Sequence, residues 1–399
     1  MKKLVSLLLA LVMVLGMMSF ASAEETKIAM ITDYGDITDQ SFNQTTWEAV
    51  VKFGTDNNIE YKYYKPDTND TAGRVAKVEM AIDEGYNVIV MPGYAFGGTI
   101  AEISGEYEDV KFIALDVGKG DLLEGGVPLK GQAYDYNPDN WNLNDYVHMD
   151  NVYSAVYQEE LCGYMAGYAA VKLGYTNLGF LGGMAVPAVI RYGYGFVQGC
   201  DAAAKELGIN VNIKYVYGNQ FFGDADITAY MDNWYQNGTQ IVFACGGGIY
   251  TSAVDAAKKV EGAKVIGVDV DQAAVITNYA AGEGASEEEL AKWADLTVTS
   301  AMKGLAPTTI DTLTDVVLNG NWANYAGKIV TLGLVSGDDP AVNYVQIADS
   351  TQFAEGKFTA EDYKALVKGM FEGTITVSAD IVAEPAVTNA TVEYLGNIK

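Results

Sequence analysis

The chain has 399 residues, more than one ordinary hydrophobic core serves, so two lobes are expected. Its formal charge of -27, from 25 basic and 52 acidic side chains, argues against nucleic-acid binding because phosphates would be repelled. A single histidine, His148, argues against Ser-His-Asp or Cys-His nucleophiles and against histidine-rich metal sites, so catalysis, which is not expected of this chain, would fall to carboxylates alone.

In chain order, Met1 to Ala23 carries Lys2 and Lys3, an apolar run from Leu4 to Met18, and then Ala21-Ser22-Ala23. This pattern reads as a secretory leader with an A-x-A cleavage site, and a mature start at Glu24 is expected. Lys27 to Thr32 reads as a buried strand ending in Asp33. Gly35, Asp36 and Asp39 then supply turn chemistry, and Trp47, Val50 and Val51 fall at helical spacing after Asn43. Ligands bind beyond the carboxyl ends of strands in open α/β sheets, which places Asp33, Ser41, Phe42 and Asn43 at the mouth of a site.

The alternation continues with strands at Glu60–Tyr64, Val88–Met91 and Val110–Leu115, the last ending in Asp116, and with helices at Thr71–Glu84 and near Thr99. This favours parallel, doubly wound sheets. Residues 117 to 150 break the pattern with glycine, proline and asparagine and read as a long loop containing His148. Helices are expected at Gln158–Leu173, Phe196–Leu207, Ile227–Gln236 and Tyr250–Val260, and strands at Leu178–Leu181, Val211–Tyr217, Ile241–Ala244 and Val265–Val268, the last ending in Asp269. The tail reads as a helix, Ala360–Phe371, and a terminal strand, Ile375–Val377. Cys162, Cys200 and Cys245 sit in apolar surroundings and read as buried free thiols. Cys245-Gly246-Gly247-Gly248 follows a strand and precedes a helix, so backbone at Gly247 can approach a ligand closely, although the run matches neither a dinucleotide fingerprint nor a P-loop.

Several segments together carry a resemblance. Asp33-x-Gly35, Asp39-Gln40-Ser41-Phe42-Asn43 and Trp47-Glu48 are followed, in order, by KFIALD (Lys111 to Asp116), GYMAGYAA (Gly163 to Ala170), VIGVDVDQ (Val265 to Gln272) and TSAMK (Thr299 to Lys303). The chain resembles the basic membrane protein family, the nucleoside-binding proteins of bacterial ABC importers. The resemblance implies an α/β, two-lobed type I periplasmic-binding-protein fold, with residues 26–151 plus 297–326 in one lobe and 152–296 plus 327–378 in the other. It further implies an exported monomer that captures a nucleoside, a purine nucleoside in preference, by hinged closure and delivers it to an ABC permease, with no cofactor, metal or nucleic acid involved. Many members of that family are lipidated at a cysteine at the cleavage point. This chain has no Cys among its first 161 residues, which argues against a lipid anchor.

Carried over residue by residue, Asp33 and Asn43 face the base and Phe42 forms one half of an aromatic sandwich. Asp116 and Asp269 accept from ribose hydroxyls, and Lys303 is the cation that joins them. The second ring is Phe221 or Phe222, with Phe221 favoured, because the family's usual segment there is altered to Asn219-Gln220-Phe221-Phe222-Gly223-Asp224. Asp269 is expected to lack a protein cation in the cleft, and Asp271 to be a solvated or capping carboxylate. The rival reading is a secreted hydrolase of glycosides or nucleosides, with a carboxylate pair drawn from Asp33, Asp36, Asp39, Asp269 and Asp271.

Overall fold

Strand and helix alternate through the first half: β1 (Lys27–Ile31), α1 (Phe42–Asn57), β2 (Glu60–Tyr64), α2 (Thr71–Asp83), β3 (Val88–Pro92), α3 (Phe96–Ile103), β4 (Lys111–Leu115), α4 (Lys119–Leu129) and β5 (Val152–Tyr157). The second half continues with α5 (Glu159–Leu173), β6 (Asn177–Gly182), α6 (Pro187–Leu207), β7 (Val211–Tyr217), α7 (Ala225–Gln236), β8 (Ile241–Cys245), α8 (Tyr250–Ala257), β9 (Lys264–Asp269), α9 (Ala273–Ala281), α10 (Glu287–Trp293) and β10 (Thr297–Lys303). Then come α11 (Leu305–Leu313), β11 (Lys328–Leu332), β12 (Val345–Ile347), α12 (Ala360–Phe371) and β13 (Ala390–Asn397). The structure is a computed structural model and describes residues 25–33 and 35–399. The leader expected over Met1–Ala23 lies outside the described residues.

The first sheet orders its strands β11-β5-β4-β3-β1-β2 and the second β12-β10-β9-β8-β6-β7-β13. Pairing is parallel throughout except between β10 and β12. Strands such as β3 and β8 are buried at every position, as a parallel sheet covered on both faces requires. The expected division at residues 151, 296 and 327 shifts by one strand at each crossing. β5 pairs with β4 and β11 with β5, which puts both in the first sheet, whereas β10 pairs with β9 in the second. The chain therefore finishes each strand at the cleft and crosses afterwards, which puts Glu159 and Lys303 at two crossings.

Three other expectations are corrected. Residues 117 to 150 are not one long loop, because α4 occupies their first third. Glycines of α3 and α4 let the two helices pack closely: a Cβ on Gly125 of α4 would stand 2.5 Å from the Gly98 Cα, and one on Gly97 of α3 would stand 2.3 Å from the Asp121 carbonyl. Similarly, α6 begins at Pro187, nine residues before the expected Phe196, because Gly193 and Gly195 mark close contacts, with Tyr215 and Phe180 of the sheet and with Glu160 of α5, and not a break. The terminal strand is β13, in parallel pairing with β7, and not Ile375–Val377. The amides of Thr374 and Ile375 both donate to the Gly369 carbonyl and close the end of α12. The three cysteines are buried and free. Among the described residues no helix is long and apolar enough to cross a membrane.

The contact between α5 and α6 shows how tightly the second lobe is built. A Cβ would stand 2.2 Å from the Tyr192 carbonyl at Gly163, 2.3 Å from that of Phe196 at Gly167, 2.1 Å from that of Glu160 at Gly195 and 2.0 Å from that of Tyr164 at Gly199. Glycine normally weakens a helix interior by roughly 1 kcal/mol relative to alanine. Here the obstruction is backbone, which cannot swing aside, so Gly199→Ala is expected to destabilise by about 1–3 kcal/mol despite its better helix propensity. A urea-denaturation midpoint equal to or above that of the parent would refute this packing.

Candidate functional site

Both sheets direct a topological switch at the same cleft, β3-β1-β2 in the first lobe and β8-β6-β7 in the second. At the first switch Gly93 has φ +125°, and a Cβ there would stand 2.3 Å from the Asp33 carboxylate. At the second, Gly183 and Gly246 form a notch for the Phe221 ring, to which a Cβ on either would stand 2.4 Å and 2.9 Å. The absence of side chains at these turns admits a carboxylate on one wall and an aromatic ring on the other.

The turn before α1 is organised by Asp39. Its carboxylate accepts from the amides of Ser41 (2.9 Å), Asn43 (3.0 Å) and Gln44 (3.1 Å), and so performs the capping that the Ser41 hydroxyl would ordinarily supply. The freed hydroxyl reaches across the cleft and donates to Asp269 at 2.7 Å. Burial pushes Asp39 up from its ordinary value despite these amides. The Asn43 amide nitrogen donates to Asp33 (3.0 Å) and Asp39 (3.1 Å), while its carbonyl oxygen is buried without a hydrogen-bond partner among the described residues.

Asp116 and Asp269 end β4 and β9 in opposite lobes, each in the left-handed region, with φ of 60° and 65°. Non-glycine residues in this region mark strain that clusters at ligand sites. Lys303, at the end of β10, pairs with Asp116 and lies 3.4 Å from Glu159 and 3.7 Å from Asp269. Glu159 also binds Arg191 at 2.6 Å, and the Tyr192 hydroxyl donates to Asp269 at 3.4 Å. The Lys303 ammonium sits 4.8 Å from the Phe42 ring centroid and 5.5 Å from that of Tyr157. Burial opposes the charge of Lys303, but Asp116, Asp269 and Glu159 outweigh it and hold the ammonium above its ordinary value. Burial lifts Asp116 to about 7, against the pull of Lys303, so on acidification Asp116 takes up a proton while Lys303 keeps its own. Burial acts the same way on Glu159, but Arg191 and Lys303 override it and the carboxylate stays below its usual range.

Most of these groups, though not Ser41, Tyr157 or Glu159, line one cavity of about 700 Å³, within the range of roughly 300–1,000 Å³ common for small-molecule sites. Asp33, Phe42, Asn43, Asp116, Phe221, Gly247, Asp269 and Lys303 all reach its wall. Phe222 is 60% exposed and is not part of the lining. His148 does not line the cavity either. The expectation that Asp269 lacks a protein cation is overturned, since Lys303 lies 3.7 Å from it, and Ser41 and Tyr192 donate to it as well. Asp271 is an exposed capping carboxylate, bound to the Ala273 amide and the Ser350 hydroxyl. Sequence reading missed Glu159 and Arg191. Paired acidic residues opening a helix look like ordinary first-turn charge, and Arg191 fell in a stretch not read as helix. Of the five carboxylates in the hydrolase rival, Asp36 is tied to Lys65 at the surface and Asp271 to Ser350, and neither lines the cavity.

Two further carboxylates predict a pH dependence. Burial raises Asp121, against the Gly118 amide and Arg191, and likewise Glu160, each to about 7. Their unfolded values are about 4. Between those limits the folded chain binds more protons than the unfolded one, so stability rises as pH falls from about 7 toward 4. The melting temperature is expected to be higher at pH 5.5 than at pH 8, and Asp121→Asn/Glu160→Gln should shrink that difference. An unchanged difference in the double variant would show that these two groups are not its source.

Residues 26–338 match the family described as ABC transporter substrate-binding protein PnrA-like. The ABC transporter nucleoside-binding protein BmpA of Lactococcus lactis is 25% identical over 355 residues, covering 84% of this chain and 89% of that protein. Basic membrane protein B of Borreliella burgdorferi is 25% identical over 323 residues, covering 79% and 81%. A solved ABC transporter solute-binding protein from Aeropyrum pernix superposes with a TM-score of 0.61 at 18% identity, over 88% of this chain and 87% of that one. Another from Conexibacter woesei superposes with a TM-score of 0.59 at 18% identity, over 89% and 99%. The fold is thus the two-lobed α/β fold of periplasmic solute-binding proteins.

Proposed function

Because the chain belongs to the PnrA-like family of ABC transporter substrate-binding proteins, we propose that it captures a nucleoside, a purine nucleoside in preference, and presents it to a membrane permease. The observation that carries this reading is the convergence of Asp116 and Asp269, from opposite lobes, on Lys303 within a cavity that also holds Phe42 and Phe221. Two carboxyl groups bridged by a lysine suit the vicinal hydroxyls of ribose. Aromatic rings on both walls suit a planar base, and Asp33 with Asn43 supplies the polar groups for its edge. The name of the Lactococcus relative, a nucleoside-binding protein, supports the same ligand class. Contacts from both lobes, with Ser41 of one already bonded to Asp269 of the other, favour the closed arrangement by differential affinity. The reading places the protein outside the cytoplasmic membrane, as a monomer that releases its ligand chemically intact.

Titration calorimetry with inosine tests the reading, and recovery of the nucleoside without free base separates binding from hydrolysis. Stacking on an aromatic ring contributes roughly 1–3 kcal/mol per base, so Phe42→Ala is expected to weaken binding about 5- to 150-fold. Unchanged affinity in Phe42→Ala would remove the stacking assignment, and absence of inosine binding by the parent would remove the ligand class.

A further inference from the structure

The cavity continues past the groups assigned to base and ribose. Beyond Asp116 it opens into a chamber walled by Gly120 and Glu124 of α4, Tyr134 and Tyr136 of the segment that follows, Val189 of α6, and Ile381 of the segment before β13. None of these positions is a strand end, and none belongs to the cluster around Lys303. The aromatic wall is packed in layers: Tyr134 lies 5.3 Å from Tyr136 and 5.9 Å from Trp141, and Trp141 lies 5.3 Å from Tyr146, between ring centroids. Asp135 fixes the turn between them by accepting from Asn140 and from the Trp141 indole, both at 2.6 Å. The Tyr134 hydroxyl is buried without a hydrogen-bond partner among the described residues, 3.7 Å from where a Gly120 Cβ would stand.

We infer that this chamber receives a short, uncharged and largely apolar substituent on the 5′ carbon of a bound nucleoside. The inference rests on the nucleoside reading above. Once carboxylates hold the 2′ and 3′ hydroxyls, the 5′ carbon is the remaining outlet of the sugar. Asp116 leads directly through Val117 and Gly118 into α4, and Asp121 of α4 faces both Asp116 and Tyr134, so the chamber adjoins the carboxylate assigned to the ribose. Its lining decides the chemistry. Val189, Ile381 and the tyrosine rings offer apolar surface, and a phosphate would confront the carboxylates of Asp121 and Glu124, while the cations lining that side among the described residues are Lys119 and Arg191, the latter already paired with Glu159.

Calorimetry on the mature protein with adenosine, 5′-deoxy-5′-methylthioadenosine and adenosine 5′-monophosphate provides the test. The methylthio compound is expected to bind at least as tightly as adenosine, and the monophosphate at least about tenfold more weakly. In Tyr134→Ala/Ile381→Ala the methylthio compound should lose about fivefold, the scale of one buried methylene-sized contact, while adenosine changes by less than about twofold. Weaker binding of the methylthio compound than of adenosine by the parent, or equal losses for both in the variant, overturns the inference. Monophosphate binding as tight as that of adenosine overturns the charge assignment. Failure of all three to bind overturns the nucleoside reading itself, which keeps the two failures distinct.

Discussion

Lys303→Met is expected to cost about 3–5 kcal/mol of folding stability, the scale observed when one partner of a buried ion pair is removed and the other charges stay behind. The ammonium is 3% exposed and faces Asp116, Glu159 and Asp269, whose side chains are 9%, 0% and 7% exposed. Arg191 still compensates Glu159 in the variant, so Asp116 and Asp269 are left to repel each other across the cleft. Two features identify the cause. Asp116 is already lifted to about 7, and loss of the lysine raises it further, so the deficit should shrink as pH falls from 8 to 5. Adding Asp116→Asn should restore part of the loss, by at least about 1 kcal/mol, in a double-mutant cycle. Urea unfolding followed by tryptophan fluorescence reads both quantities. Parental stability in Lys303→Met would mean that the carboxylates are solvated or protonated and that the lysine does not organise the cleft.

The order of strands and helices was legible because each strand is a short apolar run and each run ends in a residue that breaks it. Asp33, Asp116 and Asp269 show the rule best, since a carboxylate directly after a buried parallel strand has only the cleft to face. Lobe membership was not legible. β5, β10 and β11 have the same composition whichever sheet they join, and pairing partners are chosen by tertiary packing that a single sequence does not display. Glycine was misread where it served contact instead of turning. Gly125, Gly193 and Gly195 each accommodate a neighbouring element, and these positions hid α4 and the first turns of α6. The ion-pair partners escaped for a related reason. Glu159 is 144 residues from Lys303 in sequence, and nothing in its local pattern separates a helix-opening glutamate in solvent from one buried between a lysine and an arginine.

Asp269→Ala should separate stability from binding in one side chain. The carboxylate accepts from Ser41 of the opposite lobe at 2.7 Å and from Tyr192 at 3.4 Å, so its removal leaves a fully buried hydroxyl at Ser41 without an acceptor. An unsatisfied buried group costs about 1–3 kcal/mol, and the melting temperature measured without ligand should fall accordingly. Lys303 keeps Asp116 and Glu159, so the loss stays below that of Lys303→Met. Binding adds a second effect. A charge-assisted hydrogen bond to a ribose hydroxyl contributes about 1.5–3 kcal/mol, so inosine affinity should drop at least about tenfold and the inosine-induced rise in melting temperature should shrink. Ser41→Ala isolates the first effect, because it severs the link between lobes while leaving the Asp269 carboxylate free to accept from the ligand. Asp271→Ala is the control: that residue is exposed, and its loss should change stability by no more than about 0.5 kcal/mol and leave inosine binding intact. If Asp271→Ala abolished the inosine shift while Asp269→Ala preserved it, the ribose would lie against the loop after β9 and not against the strand end, and Asp116 and Lys303 would lose their assigned roles as well.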